Sequence, residues 1–479
     1  MDPSPRTITI IGAGFSGTAV TLGLLRNAAG PLRVQLIDAA APGRGLAYSR
    51  RAHPYLLNVP AARMSACSEE PEQFLEFARR HLPGTSPGDF LPRELYGEYL
   101  ETMLAMAQRR AAPQVIFEHV RGSVTALERS HRERRFHLLL ADGRTLSTDV
   151  VVLALGNPPP APLPASTRLA RGAHCFQDPW AAPHEFRAKE TVLLVGTGLT
   201  MVDVVLAGME KAPAGAVVHA ISRHGLLPLP QSDFESTHAA RDGRPLLRAA
   251  SVSARELLRA VRAVAAEATA RGGDWREAVT FVRTLAPALW HHLAPQERRR
   301  FLRHLRCHWD LHRHRVPQTS AARLDALRSA GRLHVHAGRI ATITSHGRRM
   351  RVTWQARGSE APQSLLVDRV INCTGPDYDV RRTRQPLLRS LAAQGVACRD
   401  PLGLGLLTDE FGRLTDAAGR PAASLYYVGP MLRASHWETT AVPELSGYAA
   451  RLARHLLQDS PPQAVALPWA QHQDHALHA

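Results

Sequence analysis

The chain has 479 residues, is 44% hydrophobic and 21% charged, and carries a formal net charge of +17. That length exceeds what one compact core supports, so two or three domains are expected, and the composition is that of an ordinary globular protein with no apolar run of the roughly 18–20 residues a membrane span needs. The positive charge is almost wholly arginine, Lys189 and Lys211 being the only lysines; with no nucleic-acid motif beside it, it suits an anionic small-molecule substrate and cofactor phosphates rather than nucleic acid.

In chain order, residues 7–38 read strand, glycine loop, helix, strand: apolar 8–11, helical periodicity over 15–26, and a second strand at 34–38. Helical segments follow near 71–81 and 93–109. Residues 115–140 alternate as strands do, with a turn at Asp142-Gly143, and 150–155 is a buried strand. The proline-rich stretch 158–164 reads as a linker. A second strand–loop–helix unit opens near Thr191, with its next strand at 217–221, and a helical region spans about 252–315. Strand patterns return at 333–345, 350–355 and 365–373. Residues 425–429 lead into a helix at 443–457, and the stretch after Asp459 is a loose tail.

The first loop holds Gly12, Gly14 and Gly17 in a GxGxxG pattern. In that pattern the first glycine makes the tight turn, the second admits a pyrophosphate to the backbone, and the third lets helix and strand pack closely. Asp38, at the end of the next strand, stands where an acid bonds a ribose hydroxyl. The second loop keeps Gly196 and Gly198, but Met201 replaces the third glycine. Its following strand ends in Ser222 and Arg223, a hydroxyl and a guanidinium that favour the 2′-phosphate of NADPH over NADH. Two such loops imply two dinucleotides, FAD at the first and NADPH or NADH at the second, with a hydride passing between them. The expected fold is α/β with two Rossmann-like dinucleotide-binding domains. The first is discontinuous (1–160 and 365–479), and the second (161–364) is inserted into it and carries the helical insertion. The N-terminal apolar stretch runs into a glycine loop rather than a cleavage-like site, so a cytoplasmic location is expected.

The five cysteines, Cys67, Cys175, Cys307, Cys373 and Cys398, form no CxxC, which argues against a dithiol redox centre or zinc knuckle. His304, His308 and His312 share one face of an ideal helix, amid arginines. That spacing alone supplies no metal geometry, so no metal is expected and a basic face is the reading.

The stretches Gly45-Leu46-Ala47-Tyr48, Leu56-Leu57-Asn58-Val59-Pro60 and Pro92-Arg93-Glu94-Leu95-Tyr96-Gly97 carry a closer resemblance. With the 196–203 loop, 309–315 and 436–440, they resemble bacterial FAD/NAD(P)-binding proteins related to the flavin-containing and N-hydroxylating monooxygenases. The resemblance implies that Asn58 and Arg93 lie near the flavin or nicotinamide. It also implies that the position after Gly429 contacts the flavin ribityl chain, although Pro430 stands there in place of the family's aspartate. The implied activity is oxygen transfer from O₂ to a small substrate through a C4a-hydroperoxyflavin. The FAD-dependent urate hydroxylase, which makes 5-hydroxyisourate in purine catabolism, is the characterised activity it brings nearest. An N-hydroxylase acting on an amine or amino acid is one alternative. The other is a non-catalytic flavin-binding sensor that meets an acidic partner through its basic surface. No catalytic residue and no oligomeric state is legible.

Overall fold

The computed structural model describes residues 5–49, 53, 55–130, 132–163, 167–168, 174–183, 185–213, 215–232 and 241–458. The tail after Asp459 and Pro164 of the linker lie outside them. The chain divides into two compact units, Met1–Asn157 with Tyr378–Ala479, and Pro158–Asp377. The boundary expected at 364/365 thus falls later, between Asp377 and Tyr378.

In chain order the main elements of the first segment are β1 (Arg6–Ile11), α1 (Phe15–Asn27), β2 (Leu32–Asp38), α2 (Gln73–His81), α3 (Arg93–Arg110), β3 (Val115–Arg121), β4 (Val124–Ser130), β5 (Arg135–Leu140), β6 (Thr145–Thr148) and β7 (Val150–Leu153). The inserted unit holds β8 (Thr167–Arg168), β9 (Cys175–Phe176), β10 (Thr191–Val195), α4 (Leu199–Glu210), β11 (Val217–Ser222), α5 (Arg244–Val252), α6 (Ala254–Ala270), α7 (Arg276–His292), α8 (Pro295–Arg300), α9 (Arg306–Arg313), α10 (Gln318–Ser329), β12 (Leu333–His346), β13 (Arg349–Ala356), β14 (Pro362–Val367) and β15 (Arg369–Asn372). The chain then returns to the first unit with α11 (Pro386–Ala393), β16 (Arg413–Thr415), β17 (Pro421–Tyr427) and α12 (Val442–Gln458).

The first unit's sheet runs β16-β17-β7-β1-β2-β3, parallel except for β16. Its inner strands β1, β2 and β7, rich in β-branched residues, are buried on both faces, as a covered parallel sheet requires. One face packs under α1, α3 and α12, and the other under the β4–β6 meander and α11. The second unit's sheet runs β14-β13-β12-β11-β10-β15-β9, with β9 to β12 parallel.

The structure departs from two expectations of the sequence. Residues 365–373 are not one strand: β14 belongs to the antiparallel meander and β15 to the parallel sheet. The break is at Asp368, whose carboxylate accepts from Thr191 N at 2.8 Å and pairs with Arg349 at 3.1 Å. Nor is 252–315 one helical run with a histidine face. It begins earlier with α5, breaks near Gly272 and Leu293, and passes through a π-helical turn at Phe301–Leu305. That wider turn contains His304 and takes it out of α-helical register with His308 and His312. Among the described residues, no cluster of His, Cys, Asp or Glu could hold a metal.

Candidate functional site: two glycine loops

The first loop follows from β1, α1 and β2. Gly12 takes φ +105°, and a Cβ there would overlap the Ala154 carbonyl oxygen, so only glycine fits between β1 and the end of β7. Gly12 N donates to Ile37 O at 2.8 Å, and Ala154 N donates to Ile11 O at 2.8 Å. A Cβ on Gly17 would overlap the Gly12 carbonyl, which sets how closely α1 approaches the turn. Gly14 is different: its Cβ would meet only the Gly45 Cα, at an ordinary 3.5 Å. Protein packing does not demand glycine there; a pyrophosphate brought to the N-terminus of α1 would. Asp38 does more than the sequence suggests. Its Oδ2 accepts from Ala13 N, inside the loop, at 2.8 Å, and its Oδ1 accepts from Ala40 N at 3.0 Å. The carboxylate braces the loop, and each oxygen keeps acceptor capacity for a ribose hydroxyl.

The motif stretches pack onto this loop. A Cβ on Gly45 would lie 2.8 Å from Gly14 Cα, and one on Gly97 would lie 2.9 Å from Arg44 Nη1. Arg44 bonds Glu101 with two guanidinium nitrogens, at 2.7 and 2.9 Å. This fork ties the 43–48 segment to α3. Leu57 N donates to Leu91 O at 2.8 Å, Arg93 N to Tyr55 O at 2.7 Å, and Arg93 Nε to Leu56 O at 3.1 Å. Arg93 and Asn58 therefore belong to one small crossing of chain segments. Asn58 is half-buried, and its side chain makes no hydrogen bond among the described residues. Burial pushes the Tyr48 hydroxyl up to about 12, against a lowering influence of Arg93.

The second loop repeats the first. Gly196 takes φ +112°, and a Cβ there would overlap the Cys373 carbonyl at the end of β15. Gly196 N donates to Ile221 O, and Cys373 N to Val195 O, both at 2.8 Å. A Cβ on Gly198 meets no atom within 4 Å, so this glycine too leaves open space over a helix N-terminus. Met201 is fully buried in the core beneath α4. Ser222 holds the position of Asp38. Thr197 Oγ1 lies 2.6 Å from Leu226 O and 2.8 Å from Ser222 Oγ, and Gly225 N donates to Ser222 Oγ at 3.0 Å. A hydroxyl has one proton and a carbonyl only accepts, so Thr197 donates to Leu226 O and Ser222 donates to Thr197. The Ser222 proton expected to meet a 2′-phosphate is committed inside the loop. Arg223 is exposed. Beside it the structure brings in residues the sequence reading missed: Arg357 Nη1 lies 2.8 Å from His224 Nδ1, and Arg339 and His308 act electrostatically on the same imidazole. Nothing local signals that grouping in so arginine-rich a chain.

Gly429 takes φ +142°, and the Val428 N–H before it donates to Leu153 O at 2.9 Å. Pro430 opens a short 3₁₀ turn, and Met431 N donates to the Tyr427 hydroxyl at 3.1 Å. Glu444 lies in the first turn of α12.

Residues 9–158 match a protein family described as FAD-NAD(P)-binding. No curated protein matches the chain. Among solved structures it is similar to the ornithine N-hydroxylase of Kutzneria sp. 744, in a complex described with reduced FAD, NADP+ and L-ornithine, at 15% identity and TM-score 0.59, covering 95% of this chain and 99% of that one. It is similar to the ornithine hydroxylase of Pseudomonas aeruginosa at 16% identity and TM-score 0.60, over 95% and 99% of the two chains. It is similar to the L-lysine 6-monooxygenase of Pseudomonas syringae at 18% identity and TM-score 0.59, over 94% and 99%. The fold is thus the two-domain flavoprotein fold expected, over nearly the whole chain. Among the described residues no helix is long and apolar enough to cross a membrane.

Proposed function

We propose that the chain is a FAD-dependent, NADPH-using monooxygenase. The observation that carries this reading is the recurrence of one dinucleotide loop in two units: Gly14 and Gly198 each stand where packing leaves room and a helix begins. FAD takes the first loop and NADPH the second. Bound flavin supplies hydride acceptance and O₂ activation, which the protein side chains do not.

The chain's own part is binding, orientation and charge. The N-termini of α1 and α4 face the two pyrophosphates with free N–H groups and the positive ends of their dipoles. Asp38 fixes the first loop and takes the ribose of the FAD adenosine. Arg223 and the cations around it take the adenosine 2′-phosphate. Asn58 and Arg93 lie beside the flavin or nicotinamide, and the backbone at Gly429 lies along the ribityl chain. With Pro430 supplying no carboxylate and no N–H, the ribityl hydroxyls depend on other groups.

The finer reading is hydroxylation of an anionic heterocycle, with urate as the specific substrate, supported by the motif resemblance and the arginine excess. The competing reading is N-hydroxylation of an amine, supported by the fold shared with the ornithine and lysine hydroxylases. Aerobic NADPH oxidation by FAD-loaded protein, with urate, L-ornithine, L-lysine or no addition, separates them. Urate-stimulated oxidation with matching urate loss supports the first; amine-stimulated oxidation with a hydroxylamine product supports the second. FAD-loaded protein that oxidises neither NADPH nor NADH under any addition overturns the monooxygenase reading and leaves the sensor.

A further inference from the structure

The turn after β11 is built from parts distant in sequence. Gly225 takes φ +62°, and a Cβ there would lie 3.2 Å from both Cβ and N of Ala337, so the 223–225 turn folds down onto β12. Arg357, in the turn after β13, donates its backbone N–H to the same Ala337 through the carbonyl, at 2.9 Å. One residue of β12 thus anchors both segments. Their side chains then meet, with Arg357 Nη1 at 2.8 Å from His224 Nδ1.

That contact fixes a protonation state. A guanidinium only donates, so His224 Nδ1 must accept, and the imidazole is neutral with its proton on Nε2. The surroundings agree. Burial, then the electrostatic influence of Arg357, Arg223, His308 and Arg339, holds His224 below the ordinary histidine range. These groups come from the turn after β11, from α9, from β12 and from the turn after β13, and all are positive or basic. Arg223, Arg339 and Arg357 form no ion pair among the described residues, whereas Arg349 and Arg369 of the same unit pair with Asp368 and Glu190. Such a cluster at the end of the second strand of a nucleotide unit lacks only an anion.

We propose that Arg357 is the specificity-determining contact for the adenosine 2′-phosphate of NADPH and that His224 is its positioning residue. The inference rests on the reading of the second unit as the NADPH site. Arg223 is exposed and must be immobilised by the ligand, at an entropic cost. Arg357 is held in advance, because the His224 ring accepts one of its N–H groups and leaves the others to a phosphate. Ser222, its proton spent on Thr197, contributes the turn and not the contact.

The test uses the full-length, FAD-loaded protein and titration calorimetry with 2′,5′-ADP and 5′-AMP, probes that differ in the 2′-phosphate alone. The wild type should bind 2′,5′-ADP at least about 10-fold more tightly, the scale of one charge-assisted hydrogen bond. Arg357→Met should remove about 10-fold or more of that preference and leave 5′-AMP affinity and Tm unchanged, since Arg357 is exposed. His224→Leu should lower the preference by roughly 3- to 10-fold, and His224→Asn, whose Oδ1 also accepts from Arg357, should restore it. An unchanged preference in Arg357→Met overturns the assignment. Equal loss in His224→Asn and His224→Leu overturns the positioning role. A wild type that binds both probes alike overturns the assignment and leaves an NADH-using enzyme in place. A wild type that binds neither probe, nor NADPH, nor NADH overturns the nucleotide reading of the unit itself.

Discussion

The two glycine loops share a backbone and differ in what surrounds it. In both, the first glycine lies against the carbonyl of the residue after a buried strand, Ala154 in one and Cys373 in the other. In both, its N–H reaches the penultimate residue of the next strand, Ile37 or Ile221. Even the corner before the buried strand recurs: Asp149 accepts from Thr7 N at 2.7 Å as Asp368 does from Thr191 N at 2.8 Å. The differences lie one step out. Gly17 lets α1 close onto the first turn, whereas Met201 fills core space under α4. Asp38 braces the first loop with a carboxylate, whereas Ser222 and Thr197 brace the second with a relay of hydroxyls. The turn is therefore a backbone requirement, and the helix distance and the group at the strand end are free to follow each unit's ligand.

The largest effects should come from breaking the shared part. Gly12→Ala overlaps a backbone carbonyl at φ +105°, so purified protein should contain no FAD by flavin absorbance. Gly196→Ala should leave the flavin bound and abolish its reduction by NADPH in an anaerobic mixing experiment. Next comes the position where the loops differ. Met201→Gly empties a fully buried site in a helix and should cost about 3–5 kcal/mol of unfolding free energy in urea, with no gain in nucleotide affinity. Arg44→Ala removes the fork to Glu101 and should destabilise the first unit by about 1–3 kcal/mol, lowering FAD retention on dilution. Gly198→Ala sharpens the comparison most finely. Its φ of −85° tolerates alanine and its Cβ meets nothing, so Tm should hold while the NADPH KM rises.

A last, smaller effect belongs to the second unit alone. His219 stacks on His334 and His336, with its Nδ1 3.0 Å from His336 Nε2. Burial, then His336 and His334, push His219 from 6.5 down to about 4. The unfolded chain accepts this proton more readily than the folded one. Stability should be unaffected above about pH 6.5 and should decline as pH falls toward 4. Thermal melts of His219→Gln across that window should show a shallower decline, and an identical slope in both proteins would assign the acid sensitivity elsewhere.

Much of the architecture was legible because it is local. The strand, glycine turn and helix of each loop lie within a few dozen residues, and a required positive φ leaves its mark as a glycine whatever the partner strand is. The repeated α/β order announced two parallel sheets in the same way. The break between β14 and β15 falls at Asp368, inside one strand-like stretch, because the sheet each half joins is set by pairing with β13 and β10. The histidine face failed for a related reason: spacing assumes an α-helical period, and a π-helical turn changes it. At the second site, the sequence pointed to Ser222 and Arg223 as neighbours of a strand end. Only the pairing of β10 with β11 spends the Ser222 proton on Thr197, and only the pairing of β11 with β12, with the meander that follows, sets Arg357 against His224 from 133 positions away. Local backbone geometry can be written into a few adjacent residues; a charge cluster assembled across strands exists only once those strands have paired.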